Sequence, residues 1–183
     1  MNGGFFDRDH GGSVNYFELH DSVISTTRPA ALKWAKSGRL ANGAIVLTKD
    51  SHIEIQPAEP DTFYEESKQE AAVLVSGPLL IHDSTTTTLP NIAFTKDRHP
   101  RTCFCLTQDA VMFIAIDGRS KSAEGMSLYE TQKYLLNLGC VDAINLDGGG
   151  STTLWIKDRG VVNHPSDNTG ERPVANAVLI IKR

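Results

Sequence analysis

Residues 143–152, Ala-Ile-Asn-Leu-Asp-Gly-Gly-Gly-Ser-Thr, end an apolar run on a carboxylate and follow it at once with three glycines. On a strand, Asn145 and Asp147 lie two residues apart and project from one face. Gly148, Gly149 and Gly150 can adopt positive φ and leave their N–H groups uncovered. Successive uncovered N–H groups, with Ser151 closing the run, form a concavity suited to an anion. Taken alone, the same residues also fit a turn in which Asp147 bonds only its own backbone.

The segment Ala115-Ile116-Asp117-Gly118-Arg119 repeats the arrangement, since an apolar run from Val111 to Ile116 delivers an acid to its end and Gly118 turns the chain. If the two strands are neighbours ending on one edge, Asp117 and Asp147 flank a single cleft, as glycosyl transfer requires; otherwise each caps its own turn. Arg101-Thr102 opens another apolar run after His99-Pro100. An antiparallel partner brings that opening beside another strand's end, where Arg101 serves as an ion-pair partner or as a phosphate clamp. Arg172, in Glu171-Arg172-Pro173, stands in the same way before the last apolar run. Glu130 follows Ser127 by three residues in a capping box, which gives its carboxylate a structural task. His10, His82, His99 and His164 fall in loops without metal-ligand spacing, and there is no HExxH or CxxC. Zinc is therefore disfavoured, and no metal or other cofactor is expected. A Gly-x-Ser-x-Gly elbow and a Walker lysine are also missing.

These residues must be positioned mostly by strands. Apolar or alternating runs predict strands at 14–19, 43–47, 52–56, 72–76, 102–107, 110–117, 143–147, 153–156 and 174–181, with a hairpin at Gln108-Asp109. One helix is strongly signalled from the Ser127 cap to the Gly139 stop, and shorter ones are expected at 29–36 and 62–71. Thr85–Thr88 reads as an exposed loop. Many strands, few helices and no βα alternation predict an α+β domain, a largely antiparallel mixed sheet with two or three helices packed on it.

A chain of 183 residues, 40% hydrophobic and 22% charged, suits one domain with a sizeable core, assigned to residues 1–183. A formal charge of −4 with scattered lysines and arginines excludes the electrostatic footprint of a nucleic-acid binder. No apolar run reaches the ~18 residues of a spanning helix, so membrane insertion is not expected. Met1 is followed by Asn-Gly-Gly rather than by a secretion signal. Cys103, Cys105 and Cys140 form neither a zinc set nor a disulfide framework, and buried free thiols are expected.

Four blocks, in order, resemble the phosphodiester glycosidase family: Asn2-Gly3-Gly4-Phe5-Phe6; Pro100-Arg101-Thr102 leading to Ile116-Asp117-Gly118-Arg119; Gly125 to Glu130 with its helix; and Asn145 to Thr152. Pro165-Ser166-Asp167 with Glu171-Arg172-Pro173 closes the domain as a fifth. The resemblance implies a sugar-phosphodiester substrate of the N-acetylglucosamine-1-phosphate type, cleaved at the glycosidic C–O bond. Asp117 and Asp147 would act as nucleophile or as base for water, with Glu130 as a helper or sugar-hydroxyl ligand. Arg101 and Arg172 would clamp the departing phosphate and the amides of Gly148, Gly149, Gly150 and Ser151 would cradle it, with Asn2, Thr102 and Asn145 also placed against substrate. Bacterial-type polysaccharide or glycoconjugate processing is the expected setting. A non-catalytic module holding an anionic glycan and a metal-dependent phosphodiesterase are the alternatives, the latter lacking an evident ligand cluster. Family members carry strands, and often a secretion signal, before the Asn-Gly-Gly-Phe block. The sequence is therefore expected to lack those strands, with an oligomer partner as their substitute in covering the sheet, and an extracytoplasmic location is favoured.

Overall fold

The structure is a computed structural model that describes residues 1–28 and 40–181. The helix expected at 29–36 lies outside the described residues. Two five-stranded sheets form the body, and every strand pairing in them is antiparallel. The first sheet runs β2 (Ser22–Ser25), β1 (Phe17–Leu19), β5 (Glu70–Ser76), β3 (Gly43–Thr48) and β4 (Ile53–Pro57). The second runs β7 (Thr85–Thr86), β6 (Leu79–His82), β10 (Asp142–Asn145), β8 (Arg101–Leu106) and β9 (Val111–Ile116). A short ribbon of β11 (Trp155–Ile156) and β12 (Gly160–Val161) follows. The α+β class thus holds, with two sheets where the sequence suggested one.

Side-chain alternation decides how the sheets stack. On β3, Ile45 points with Ile55 of β4 toward Leu79, Phe104 and Ile144 of the second sheet, and this apolar set glues the sheets face to face. Ala44 and Val46 point the other way, to Tyr16, Val73 and Val75, where Tyr64 of α1 (Asp61–Ser67) covers them. The far face of the second sheet presents Leu80, Ile81, Cys103, Cys105 and Ala143 to Leu128 and Leu135 of α3 (Leu128–Asn137). Each fully buried Leu or Ile contributes roughly 1.5–3 kcal/mol. A single turn of helix, α2 (Ala93–Lys96), carries Phe94 toward the edge of the second sheet.

Helix α3 forms where the capping box requires it. Ser127 Oγ accepts from the Glu130 N–H, Glu130 accepts from the Ser127 N–H, and Gly139 ends the helix at φ +83°. The hairpin at 108–109 joins β8 to β9 in unbroken register from Arg101↔Ile116 to Leu106↔Val111. Four local expectations are corrected. The helix expected to reach Ala71 stops at Ser67, because Glu70 already begins the central strand β5. The apolar run 174–181 makes only an isolated bridge, Asn2↔Ala177, and Leu179, Ile180 and Ile181 stay exposed. Thr85 and Thr86, though exposed, pair with β6. Cys105 and Cys140 form a disulfide, because Val141 docks on Leu106 and brings the two Cα atoms to 5.8 Å; only Cys103 remains a free buried thiol.

Candidate active site

Antiparallel register brings the chemistry to one edge of the second sheet. Asn145↔Cys103 pairs β10 with β8, and the pairing continues as the Leu146 N–H donates to Thr102 O, so Asp147 emerges beside Arg101. Arg101↔Ile116 pairs β8 with β9, so Asp117 leaves the sheet at the same edge on the other side of β8. The Asp147 main chain is then fixed from the N-terminus: its N–H donates to Gly3 O, and its carbonyl accepts from Asn2 Nδ2 at 2.6 Å.

A cavity of about 280 Å³ opens there, lined by Phe5, Phe6, Arg8, Phe94, His99, Arg101, Arg119, Asp147, Gly148–Gly150 and Arg172. Asp147 is the one carboxylate among these lining residues. Burial pushes its carboxyl up to about 6, against the Ser151 hydroxyl, the Arg172 charge, the Gly148 N–H and the more distant Arg8 charge, all of which favour the anion. Arg172 is held by a bidentate pair to Asp167, Nε to Oδ2 at 2.8 Å and Nη2 to Oδ1 at 2.9 Å, and its Nη1 donates to Ser151 Oγ at 3.3 Å. Gly150 is required by close approach: a Cβ there would stand 2.1 Å from both Arg172 Nη2 and Asp167 Oδ1. Gly149 adopts φ +62°, and the Arg119 guanidinium lies over it, 3.1 Å from where a Cβ would be. Arg8 and Arg119 make no hydrogen bond or ion pair to any described residue. Burial, with Arg101 and Arg119 nearby, lowers the His99 pKa and so favours its neutral imidazole.

The other residues singled out in the sequence take different places. The Asp117 side chain is not among the lining groups; it accepts from the His164 N–H at 2.8 Å and from Asn163 Nδ2 at 3.2 Å. Glu130 also stands outside the cavity, in its capping box and in an ion pair with Arg98 that hold its carboxyl down to about 2, the Arg98 contact being the largest cause. Arg101 lines the cavity but spends Nε on Met126 O and Nη2 on Phe94 O and Asp97 O, with its guanidinium 5.1 Å from the Phe94 ring centroid. Asn2, Thr102 and Asn145 are buried braces: Thr102 Oγ1 and the Thr153 N–H donate to Asn2 Oδ1, and Asn145 Nδ2 donates to Gly77 O and Leu146 O. The Gly149 N–H is occupied by Pro100 O, whereas the Gly150 N–H donates to no group among the described residues. Residue-level reading gave no role to Phe5, Phe6, Arg8, Phe94, His99, Arg119 and Asp167. Of these, Phe5, Phe6, Arg119 and Asp167 carried a sequence signal, through their places in the blocks that resemble the family.

The chain belongs to the phosphodiester glycosidase family, which it matches over residues 1–181. Among individual proteins, it is 36% identical over 58 residues to the bovine (Bos taurus) N-acetylglucosamine-1-phosphodiester alpha-N-acetylglucosaminidase, covering 32% of this chain and 11% of that protein. It is 33% identical over 84 residues to the SPbeta prophage-derived uncharacterized protein YomE of Bacillus subtilis (strain 168), covering 45% of this chain and 13% of that protein. The chain therefore spans only a small part of these two relatives. The catalytic domain of the zebrafish N-acetylglucosamine-1-phosphodiester alpha-N-acetylglucosaminidase, solved auto-inhibited by its pro-peptide, superposes with a TM-score of 0.71 at 20% identity, over 97% of this chain and 59% of that one. At that identity the likeness is one of fold. No helix among the described residues is long and apolar enough to cross a membrane.

Proposed function

We propose that this domain hydrolyses a sugar-1-phosphodiester of the N-acetylglucosamine-1-phosphate type at the glycosidic C–O bond. The observation that carries the proposal is a lone half-buried carboxyl, elevated to about 6, facing four arginines and three phenylalanines in one cavity. The ionised carboxylate of Asp147 takes a proton from water, and the water oxygen bonds to the anomeric carbon. The C–O bond to phosphate breaks, and the electron pair leaves on the phosphomonoester oxygen. Phosphate leaves as a stabilised anion, so no second carboxyl has to protonate it, and the demand shifts to cations that meet the developing charge. Arg8, Arg119 and Arg172 supply these, and the Gly150 N–H adds a donor. Phe5, Phe6 and Phe94 give the sugar an apolar wall. A single base without a partner nucleophile leads to inversion at the anomeric carbon.

The donor set of the cavity, one carboxylate and one imidazole among guanidinium groups, does not fit the paired-metal centre of a phosphodiesterase. The Cys105–Cys140 disulfide supports work in an oxidising, extracytoplasmic compartment. Bacterial-type polysaccharide or glycoconjugate diesters are the proposed natural substrates. The test is incubation with an alpha-N-acetylglucosamine-1-phosphate diester in oxygen-18 water, with EDTA. Label in the released sugar supports the proposal; label in phosphate refutes it in favour of P–O cleavage. Saturable binding without product identifies a glycan-holding module instead.

A further inference from the structure

The charges that line the cavity do not balance. Four guanidinium groups face one carboxylate there, and of the four only Arg172 has an acidic partner, Asp167. Arg101 is 1% exposed, yet its bonds run to three neutral carbonyls and to no carboxylate. Arg8 and Arg119 bond to no group among the described residues. Asp7, the acid beside Arg8, spends its carboxylate on the N–H groups of Asp9 and His10 and on the His10 ring. Every Asp and Glu of the chain lies among the described residues, so no other side-chain carboxylate remains to pair with these cations. With Asp147 ionised, Arg8, Arg101 and Arg119 outnumber it by two, and a ligand with two negative charges restores the balance.

Placement gives a second, independent sign of such a ligand. Arg119 takes φ +58°, a left-handed backbone uncommon outside glycine, and holds its guanidinium over Gly149 with no protein acceptor. The Gly150 N–H beside it is likewise open. Guanidinium and N–H donors that converge on a glycine turn suit a tetrahedral oxyanion. Desolvation lowers the Arg101 pKa to about 10, and an anion in the cavity relieves that penalty. A phosphodiester brings one negative charge, whereas a phosphomonoester brings two above its second pKa of about 6.

We infer that the cavity is matched to a dianionic phosphate group, so that the phosphomonoester left after cleavage is retained there as a competitive inhibitor of the next turnover. The inference rests on the proposed reaction for naming that dianion as the product. When the C–O bond breaks, its electron pair stays on the phosphate oxygen and supplies the second charge, while the proton taken from water sits on Asp147. Once that proton leaves, the Asp147 carboxylate is the one negative group lining the cavity that repels the product.

Isothermal titration of the chain with ethyl phosphate and with ethyl sulfate tests the match at about pH 8, where the first is a dianion and the second, of similar shape, a monoanion. Ethyl phosphate should bind one to one, tighter than ethyl sulfate by roughly ten-fold or more. Arg8→Ala and Arg119→Ala should each weaken ethyl phosphate by roughly ten-fold, and Asp147→Asn should tighten it. Neither arginine bonds to the described protein, so both variants should melt as the parent does. In turnover of the sugar phosphodiester, ethyl phosphate should raise KM and leave kcat unchanged. Equal affinity for the two probes, no saturable binding of ethyl phosphate, or binding unchanged in both arginine variants overturns the inference. The titrations need no turnover, so the two readings fail separately. A chain that releases labelled sugar but does not prefer ethyl phosphate loses only the dianion match. One that prefers ethyl phosphate but releases no sugar keeps that match and loses the glycosidase reading.

Discussion

Asp147 trades stability for a usable pKa. Its carboxyl titrates at about 6 in the fold, against about 3.9 in an unfolded chain, so the folded state binds the proton more tightly. Stability from this group is therefore greatest below about pH 4 and falls as pH rises through 6, by on the order of 2–3 kcal/mol. Asp147→Asn should abolish turnover while raising the melting temperature at pH 7, and thermal melts at pH 4 and pH 7 should show the gain only at the higher pH. In the parent chain, kcat/KM should rise with pH through about 6 as the proposed base ionises. Arg119 has no protein partner among the described residues, so it is free to meet phosphate. Arg119→Ala should lower kcat/KM at least ten-fold for phosphodiesters and far less for aryl glycosides, with no loss of melting temperature. Arg101→Ala should behave in the opposite way, because its guanidinium ties three backbone carbonyls together. Its cost belongs in the melt and should be similar for both substrate types. The close backbone approach at the Asp-Gly-Gly-Gly run was legible in its glycines. The partners of each arginine were not, since sequence states a charge but not the carbonyl it will meet.

At the scale of elements, the legible features were those with local causes. The Ser127–Glu130 capping box and the Gly139 stop set α3 to within a residue or two, and the hairpin at 108–109 followed from two flanking apolar runs. Ser127→Ala should cost about 1 kcal/mol, a drop of roughly 2–4 °C in melting temperature. Glu130 offers a pH test of the same cap. Its folded carboxyl lies near 2, below the unfolded value of about 4.3, so it stabilises above pH 4 and loses that contribution as pH falls toward 2. The gap in melting temperature between the parent chain and Glu130→Gln should close over that interval. The apolar run 174–181 misled because β-propensity reports a fit to a half-buried pleated surface, and here only Ala177 finds a bridge partner. The division into two sheets was illegible for a related reason: both faces of β3 are apolar, and such a run does not say which neighbour covers which face.

For the whole molecule, the disulfide was the feature that spacing hid. Cys105 and Cys140 are 35 residues apart, and only the docking of Val141 on Leu106 makes them neighbours. Closing a loop of that length contributes about 3–4 kcal/mol, so reduction, or Cys105→Ser with Cys140→Ser, should lower the melting temperature by roughly 6–16 °C. Asn2 has a different kind of consequence. Its side chain contacts residues 102, 147 and 153, and the N–H groups of Gly3 and Gly4 donate to Asn176. The first residues of the chain are thus the keystone of a cavity whose other walls come from its second half. Contacts spanning 145 to 172 residues are the slowest kind to close in a folding search, so the cavity has its final shape only when the search is complete. A partly refolded chain carries both sheets' sequences and every arginine, yet until residues 2–4 meet residues 147–176 it has no cavity.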